Sequence, residues 1–296
     1  MTNQLIITPI QPFSFKECLF FLARSEHECL FKIQDERLIR AVQIGTRTFP
    51  ISVSQSEANL AITIPQNCTR QEEIGIKDYV EHWLDTNRDL QPFYSLLIEQ
   101  TALSELATKY KGLRLIGIPD LFEAMCWSII GQQINLTFAY KLKLRLVEAY
   151  GASINYEGQK LYHFPTPEAL VNLDEDFLKT QQFSRGKIQY LKNVATAFLE
   201  DGLNKSVLAQ IPDFETRQKQ LTKIKGIGIW SANYALMKTI HQPEAIPFGD
   251  TGLTQALFNL KIIEDRKDEK GIIKFFETMR NWEAYTVFYL WRSLAG

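Results

Sequence analysis

Hydrophobic and polar positions alternate along the first third of the chain. The alternation is clearest at Leu38–Ile44, Phe49–Val53 and Leu60–Ile64, and a helical repeat covers Ile76–Trp83. Successive side chains of a strand point to opposite faces, so this pattern predicts strands that are buried on at least one side. Residues 1–95 are therefore predicted to form a small α+β domain.

From Leu96 onward the apolar residues recur at helical spacing. Glycine and proline interrupt this repeat every 6 to 21 residues, which predicts an α-helical domain of about ten short helices over residues 96–296. The two halves of this domain are expected to form subdomains with a cleft between them. The interruptions fall at Gly117, Gly131, Gly151, Pro165, Gly186, Gly202, Pro212, Gly226, Pro243 and Gly249.

Two glycines, Gly226 and Gly228, lie in a short turn between two helical runs. Glycine permits a sharp turn and lets a partner approach the main chain without meeting a Cβ atom. The N–H groups at the start of the following helix can then hold an anion such as phosphate. Lys223 and Lys225 flank the turn. A plain helix–helix turn explains the same glycines, so both interpretations remain open on this segment alone.

Asp250 follows one helix later, in a loop rich in glycine and proline that runs from Ile246 to Leu253. An aspartate before an apolar helical run is a common N-cap, which stabilises a helix by roughly 1 kcal/mol. A carboxylate on a loop between rigid helices is also well placed to meet a ligand. The sequence supports either role.

Helix, glycine turn, helix, Gly/Pro-rich loop and aspartate occur in this order in the helix-hairpin-helix DNA glycosylase superfamily, which the chain resembles. The hairpin is most similar to that of 3-methyladenine DNA glycosylase II, because the glycines precede Trp230-Ser231-Ala232-Asn233-Tyr234 and Asp250 follows Tyr234 by sixteen positions. Further matches in the same order are Lys111–Gly117, Phe122–Ala124, Ile130–Ile134, Phe164–Glu168, Arg280–Tyr285 and Leu290–Trp291.

The resemblance implies an α+β fold, with a small N-terminal antiparallel sheet domain that supports a larger all-α helix-hairpin-helix glycosylase domain and does no chemistry. It assigns Trp230, Tyr234 and Trp291 to a pocket for the damaged base. It also assigns Gln133 to the wedge that fills the gap left by a flipped base, with Gln132 beside it. The similar family has leucine at the wedge position, and Gln132 serves equally well as a loop hydrogen-bonder.

The same resemblance implies a mechanism. Alkylated purines are cationic, so they stack strongly on aromatic faces and leave as neutral bases. One carboxylate then suffices, and Asp250 is expected to stabilise the positive sugar and to orient or deprotonate the attacking water. Relatives that also cut the backbone carry lysine at the position of Trp230, so the enzyme is expected to be monofunctional. Lys223, Lys225 and Lys238 are expected on the phosphate side or the outer face.

These features predict a monofunctional glycosylase for alkylated purines of the 3-methyladenine and 7-methylguanine type, with damaged double-stranded DNA as its partner. A glycosylase for an oxidised or deaminated purine is the alternative enzyme. A non-catalytic helix-hairpin-helix DNA-binding protein is the alternative outside enzymes, although such a protein needs neither Asp250 nor the aromatic residues.

The net charge of the 296-residue chain is −1, which is unusual for a DNA-binding protein. Two stretches, 177–199 and 217–243, carry basic residues and no acidic ones. If they share a face they form a DNA footprint, and otherwise they are solvated helix faces. The basic residues are Lys179, Arg185, Lys187, Lys192, Arg217, Lys219, Lys223, Lys225 and Lys238.

Cysteine and histidine give no sign of a metal site. Cys18, Cys29, Cys68 and Cys126 lack ligand spacing, and the iron–sulfur cluster of some superfamily members is not expected. The histidines, which are expected to form no cluster, are His27, His82, His163 and His241. We therefore expect no cofactor. With 45% hydrophobic residues and neither a membrane-spanning run nor a secretory leader, the protein is expected to be a cytoplasmic monomer, associated with the nucleoid if bacterial.

Overall fold

The first part of the chain folds as an antiparallel sheet with two helices, in a computed structural model that describes residues 3–295. The sheet has five strands in the order β1-β5-β4-β3-β2. The strands are β1 (Asn3–Ile7), β2 (Phe31–Gln34), β3 (Arg37–Ile44), β4 (Arg47–Ser56) and β5 (Asn59–Ile64). The helices are α1 (Phe15–Leu22), between β1 and β2, and α2 (Arg70–Leu84), after β5.

The three strands predicted from alternation are β3, β4 and β5. They form a meander in which Leu38 pairs with Val53 and Val53 with Ile62, and all three side chains are buried. Helix α2 begins six residues before the predicted helical repeat. Thr69 and Glu72 form a capping box there, which satisfies free N–H groups and allows the polar first turn to be helical.

Strand β3 is buried on both faces. Leu38 and Val42 point into the main core, whereas Ile39 and Ala41 pack with Leu161 on the other side. Leu161 belongs to a hairpin of β6 (Ser153–Tyr156) and β7 (Gln159–Tyr162) that the sequence pattern did not predict. Its strands have four residues each, too few to show a period of two.

The remaining elements are helices, as predicted, and the α+β fold class is confirmed. Twelve helices begin after residue 96 within the described part of the chain, where about ten were expected. Several have only five or six residues, too few to show a helical repeat. The helices are α3 (Gln91–Glu99), α4 (Ser104–Lys109), α5 (Leu121–Gly131), α6 (Leu136–Tyr150), α7 (Pro167–Val171), α8 (Glu175–Thr180), α9 (Arg185–Leu199), α10 (Lys205–Gln210), α11 (Phe214–Thr222), α12 (Ile229–Ile240), α13 (Thr251–Asn259), α14 (Glu269–Glu277) and α15 (Glu283–Ser293).

Helix α5 lies at the centre of the helical part. Every residue from Leu121 to Ile130 is buried, and the helix packs against α9, α12 and α6. A helix with mostly apolar residues on every side is stable only when other elements surround it, and here Arg40 also pairs with the buried Glu123 of the helix. The end of α5 is therefore held rigidly where it meets the hairpin between α11 and α12. Among residues 3–295, every helix is too short or too polar to span a lipid bilayer.

Two of the histidines form a stacked pair, half-buried at His82 and buried at His241, which corrects the expectation that the histidines do not cluster. The rings of His82 and His241 stack with centroids 4.4 Å apart, and Nδ1 of His241 lies 3.4 Å from Oδ1 of Asp85. The Oδ2 atom of Asp85 also accepts a hydrogen bond from the hydroxyl of Tyr285. The pair joins α2 to the end of α12, 159 residues later in sequence, so spacing could not reveal it.

Acid is expected to destabilise the fold through His82. Burial, together with the neighbouring His241, lowers the pKa of His82 from 6.5 to about 3. Between these values the unfolded chain binds a proton that the folded chain does not, so stability falls as pH falls from 6.5. The expected contribution of this residue is up to about 1.4 kcal/mol per pH unit. Urea unfolding at pH 7.5 and 5.5 measures it.

The matched variant is His82→Phe, which keeps an aromatic ring beside His241 but cannot titrate. It should lose less stability than the original chain between pH 7.5 and 5.5. The slope of its unfolding free energy against pH should correspond to about one proton fewer taken up on unfolding. An unchanged slope would show that His82 does not couple folding to pH.

Candidate active site

The glycine turn joins α11 to α12, and Gly228 is the N-cap of α12 without a side-chain hydrogen bond at that helix end. The two glycines are needed for different reasons. Gly226 has φ +109°, and a Cβ atom on it would lie 2.3 Å from the ring of Tyr190. Gly228 has φ −88° and open space where a Cβ atom would be. Gly226 is therefore required by the fold, whereas Gly228 leaves the start of α12 open to a partner.

Gln132, which directly follows α5, holds this turn in place, and Lys187 of α9 holds the end of α5. Gln132 Nε2 donates to the carbonyl oxygen of Gly226 at 2.9 Å and to Ser231 Oγ at 3.0 Å. Lys187 Nζ donates to the carbonyl oxygens of Ile129 and Gln132 at 2.9 and 2.7 Å, and burial lowers the pKa of this lysine to about 8. The half-buried Gln132 thus acts as the loop hydrogen-bonder that the sequence left open.

Gln133 is placed differently from its neighbour. It is exposed, follows the end of α5, and has a left-handed backbone with φ +56°. The Lys187 and Gln132 contacts fix the backbone that precedes this position. Gln133 therefore projects from a rigid support beside the hairpin.

The basic residues of the two acid-free stretches do not all face solvent. Lys223 and Lys225 are exposed beside the turn, as expected. The prediction that Lys238 lies on the phosphate side or the outer face is wrong. Lys238 is buried and donates to the carbonyl oxygen of Ile116. Its amine also lies 4.8 Å from the ring centroid of Phe288, and burial lowers its pKa well below the ordinary value. A helix repeat identifies the side of α12 that carries Lys238 but not what covers it.

Asp250 is the N-cap of α13, and its Oδ1 atom accepts a hydrogen bond from the N–H of Leu253 at 2.7 Å. The same oxygen accepts one from Trp291 Nε1 at 2.9 Å, and Oδ2 accepts one from Trp230 Nε1 at 3.3 Å. The carboxylate is half-buried. It therefore combines the capping role with a fixed position between two indole rings.

The three aromatic residues assigned to the base pocket lie together. Trp230 and Tyr234 stack at 5.5 Å between ring centroids, and Tyr234 lies 6.3 Å from Trp291. Trp230 and Trp291 are half-buried, whereas Tyr234 is buried with its hydroxyl accepting a hydrogen bond from Trp127. The sequence could indicate the Trp230–Tyr234 face from the spacing of four residues. It could not indicate that both indoles bind Asp250.

Four further aromatic residues, all buried, continue this set of ring contacts, and we name the whole set the pocket wall. Trp127 and Tyr140 lie 4.8 Å apart between centroids, Phe21 and Phe288 lie 4.2 Å apart, and Phe288 lies 6.4 Å from Trp291. None of the four was assigned to the site from sequence, because core aromatic residues give no local signal. The pocket wall consists of Trp230, Tyr234, Trp127, Tyr140, Phe21, Phe288 and Trp291.

Comparison with known proteins identifies the fold and family. Residues 126–281 match the HhH-GPD superfamily of base excision DNA repair proteins, and residues 6–125 match the N-terminal domain of 8-oxoguanine DNA glycosylase. A DNA-3-methyladenine glycosylase of Bacillus subtilis is 34% identical over 99% of this chain and 98% of its own length.

The chain belongs to the HhH-GPD superfamily. It is accordingly a DNA glycosylase, and the resemblance inferred from the motifs is confirmed.

Two solved structures share the fold of this glycosylase. The 3-methyladenine DNA glycosylase of Archaeoglobus fulgidus superposes with a TM-score of 0.85 at 22% identity, covering 97% of each chain. The 8-oxoguanine glycosylase/lyase of Clostridium acetobutylicum, in complex with DNA, superposes with a TM-score of 0.77 at 19% identity over 98% of this chain and 96% of its own. The sheet and the helical part thus occur together in both.

Two buried ion pairs lie beside the pocket wall of the glycosylase, around the same cavity as Phe21, Trp127 and Tyr140. Lys143 Nζ lies 2.6 Å from Glu28 and 5.1 Å from the ring centroids of both Trp127 and Tyr140. Burial disfavours the charge of Lys143, but the Glu28 carboxylate outweighs it and raises the pKa of this lysine. A second pair, Arg40 and Glu123, lies at 2.8 Å. The N-terminal part of the chain therefore helps to shape the site.

Proposed function

We propose that the chain is a monofunctional DNA glycosylase that removes alkylated purines, of the 3-methyladenine and 7-methylguanine type, from double-stranded DNA. The observation that carries the proposal is the Asp250 carboxylate, held by the indole N–H groups of Trp230 and Trp291 at the edge of an aromatic pocket. A DNA-binding scaffold has no need of such an arrangement.

Asp250 acts on the sugar in the proposed reaction. As the bond between base and sugar breaks, positive charge develops on the deoxyribose, and a fixed carboxylate stabilises it. Oδ1 already accepts two hydrogen bonds, whereas Oδ2 accepts one at 3.3 Å, so Oδ2 has more capacity to orient or deprotonate a water molecule. The water then attacks the sugar carbon, and the base leaves with the electrons of the broken bond.

Stacking selects the base. A purine alkylated on a ring nitrogen carries a positive charge in DNA, and it is attracted to the faces of Trp230, Tyr234 and Trp291 more strongly than a neutral base. Such a base leaves as a neutral molecule, so it needs little help from a general acid. The reaction then requires a single carboxylate in contact with the sugar, which matches the role given to Asp250.

DNA is held by the hairpin in this proposal. The open N–H groups at the start of α12, with Lys223 and Lys225 beside them, bind backbone phosphate without reading sequence. Gln133 is the side chain that fills the space left when the damaged base leaves the stack, which costs a few kcal/mol. The protein is proposed to act as a monomer.

Gly228→Ala is expected to weaken binding to damaged and undamaged duplexes equally, by roughly tenfold, because a methyl group displaces one phosphate from a charge-assisted hydrogen bond. Fluorescence anisotropy with both duplexes at fixed salt measures the effect. The thermal stability of the variant should be unchanged, since the backbone angle suits alanine and no atom lies within 4 Å of the added carbon. Weakening limited to the damaged duplex would contradict the assignment. Gly226→Ala is unsuitable, because it collides with Tyr190.

An excision assay tests the proposed function directly. Duplexes that each carry one lesion are compared in single-turnover reactions: 3-methyladenine, 7-methylguanine, hypoxanthine, ethenoadenine and 8-oxoguanine. We expect release of the two methylated bases to be fastest, with no strand cleavage. Preference for a neutral lesion would overturn the alkylpurine assignment while leaving the glycosylase family intact.

8-Oxoguanine is the second candidate substrate, because residues 6–125 match the N-terminal domain of 8-oxoguanine DNA glycosylase. Trp230 argues against the lyase form of that activity. Bifunctional members of the superfamily carry a lysine at this position, and here an indole donates to Asp250 instead. A strand break after base release would favour this second candidate.

A further inference from the structure

Asn233 is a buried polar residue of α12, and both ends of its amide have partners. Its Nδ2 atom donates to the carbonyl oxygen of Ile246 at 2.6 Å. Its Oδ1 atom accepts from Nε2 of Gln218 at 2.7 Å. Gln218 belongs to α11, so this amide joins both helices of the hairpin to the loop that leads to Asp250.

The loop between Ile246 and Asp250 is tightly turned. The carbonyl oxygen of Ile246 also accepts from the N–H of Phe248 at 2.8 Å, and that of Pro247 accepts from the N–H of Asp250 at 3.0 Å. The ring of Pro247 fixes one further backbone angle of the segment. The position of the Ile246 carbonyl group, which Asn233 holds, therefore helps to set the position of the Asp250 backbone.

Packing alone does not require an amide at position 233. Leucine has nearly the same shape and would fill the space without polar atoms, whereas a buried amide costs stability unless it is hydrogen-bonded. Asn233 is only 1% exposed, and its partners lie within the protein, so it has no surface to offer to DNA. What the amide adds to leucine is a donor for the loop carbonyl.

We propose that Asn233 is a positioning residue for base excision, and that it holds the loop so that the Asp250 carboxylate meets the sugar. This inference rests on the proposed function and adds to it a residue that acts only through Asp250. A displacement of about 1 Å at a reacting group can lower a rate by about 100-fold. The bond between Asn233 and Ile246 prevents such a displacement.

Excision by Asn233→Ala tests the proposal. The reaction is a single turnover on a 7-methylguanine duplex with folded enzyme in saturating excess, so the rate constant does not depend on the fraction of the sample that is folded. We expect this constant to fall by at least about tenfold. The matched control is Gln66→Ala, which removes the half-buried amide that donates to the carbonyl oxygen of Thr48 at 2.8 Å in the N-terminal part of the chain. Its rate constant should equal that of the original protein.

A double-mutant cycle shows whether Asn233 acts through Asp250. Once Asp250→Asn has removed the carboxylate, there is no charge left to position, so adding Asn233→Ala should change the rate by less than about twofold. An equal fall in both backgrounds, or no fall in Asn233→Ala alone, would overturn the inference. Normal excision by Asp250→Asn alone would overturn the role of Asp250, and the inference with it.

A second variant separates positioning from stability. Gln218→Met with Asn233→Leu replaces both amides by apolar groups of similar shape, which restores stability but supplies no donor to Ile246. Its rate constant should stay as low as that of Asn233→Ala, whereas Gln218→Met alone keeps the donor and should react faster. A normal rate in the double variant would show that Asn233 serves folding only. If the original protein releases a neutral lesion instead, the alkylpurine assignment fails in that measurement, and the same variants on that lesion still decide the role of Asn233.

Discussion

Asp250→Asn is expected to fold and to bind DNA but to lose base excision by at least about 100-fold. Asparagine is as good an N-cap as aspartate, so α13 should keep its start. The amide carries no negative charge, so it cannot stabilise the sugar cation or accept a proton from water. Single-turnover release of 3-methyladenine, with duplex binding measured beside it, separates the two effects.

The matched control is Asp268→Asn, at the N-cap of α14, where the carboxylate accepts from the N–H of Gly271 at 2.9 Å. It repeats the chemical change at a helix end outside the site, and excision should stay near the original rate. If Asp250→Asn also excised at a near-normal rate, Asp250 would be a capping residue only.

Lys143→Met is expected to cost about 3–5 kcal/mol of folding stability, because it leaves the Glu28 carboxylate buried without its partner. The midpoint of urea unfolding should fall while the slope is retained. The double variant Lys143→Met with Glu28→Gln removes both charges. It should recover much of the loss, since Gln keeps the oxygen that accepts from the N–H groups of Cys29 and Leu30.

Arg70→Met breaks the exposed pair with Glu73, so it provides the comparison for this experiment. A loss of about 0.2–1 kcal/mol is expected there. Equal losses for Lys143→Met and Arg70→Met would show that burial adds nothing to the Lys143–Glu28 pair.

Because Lys143 also packs on Trp127 and Tyr140, excision by Lys143→Met should fall further than its folded fraction does.

The strands β3, β4 and β5 and the hairpin helices could be predicted because their signals are local. Alternation of apolar and polar side chains predicts a strand, and a glycine between two helical runs predicts a turn. The structure gives Gly226 a φ of +109°, which other residues avoid. The start of α2 was missed, since its first turn is polar and depends on the Thr69 capping box. The β6–β7 hairpin was missed because its stability comes from covering the second face of β3.

The sequence by itself determined which residues share a helix face and which begin a helix. Trp230 and Tyr234 stack because they are one turn apart, and Asp250 caps α13 because its side chain reaches the N–H group three residues ahead. These contacts depend on backbone geometry within a few residues, which a single sequence specifies.

Only the tertiary structure decided what surrounds these residues. Trp291 binds Asp250 from 41 residues away, and Arg24 reaches Tyr140 from 116 residues away. Lys238 is on a helix that also carries site residues, yet it is buried because α1 and α15 cover it. Such contacts arise when elements distant in sequence pack together to bury apolar surface, and that packing depends on the whole chain.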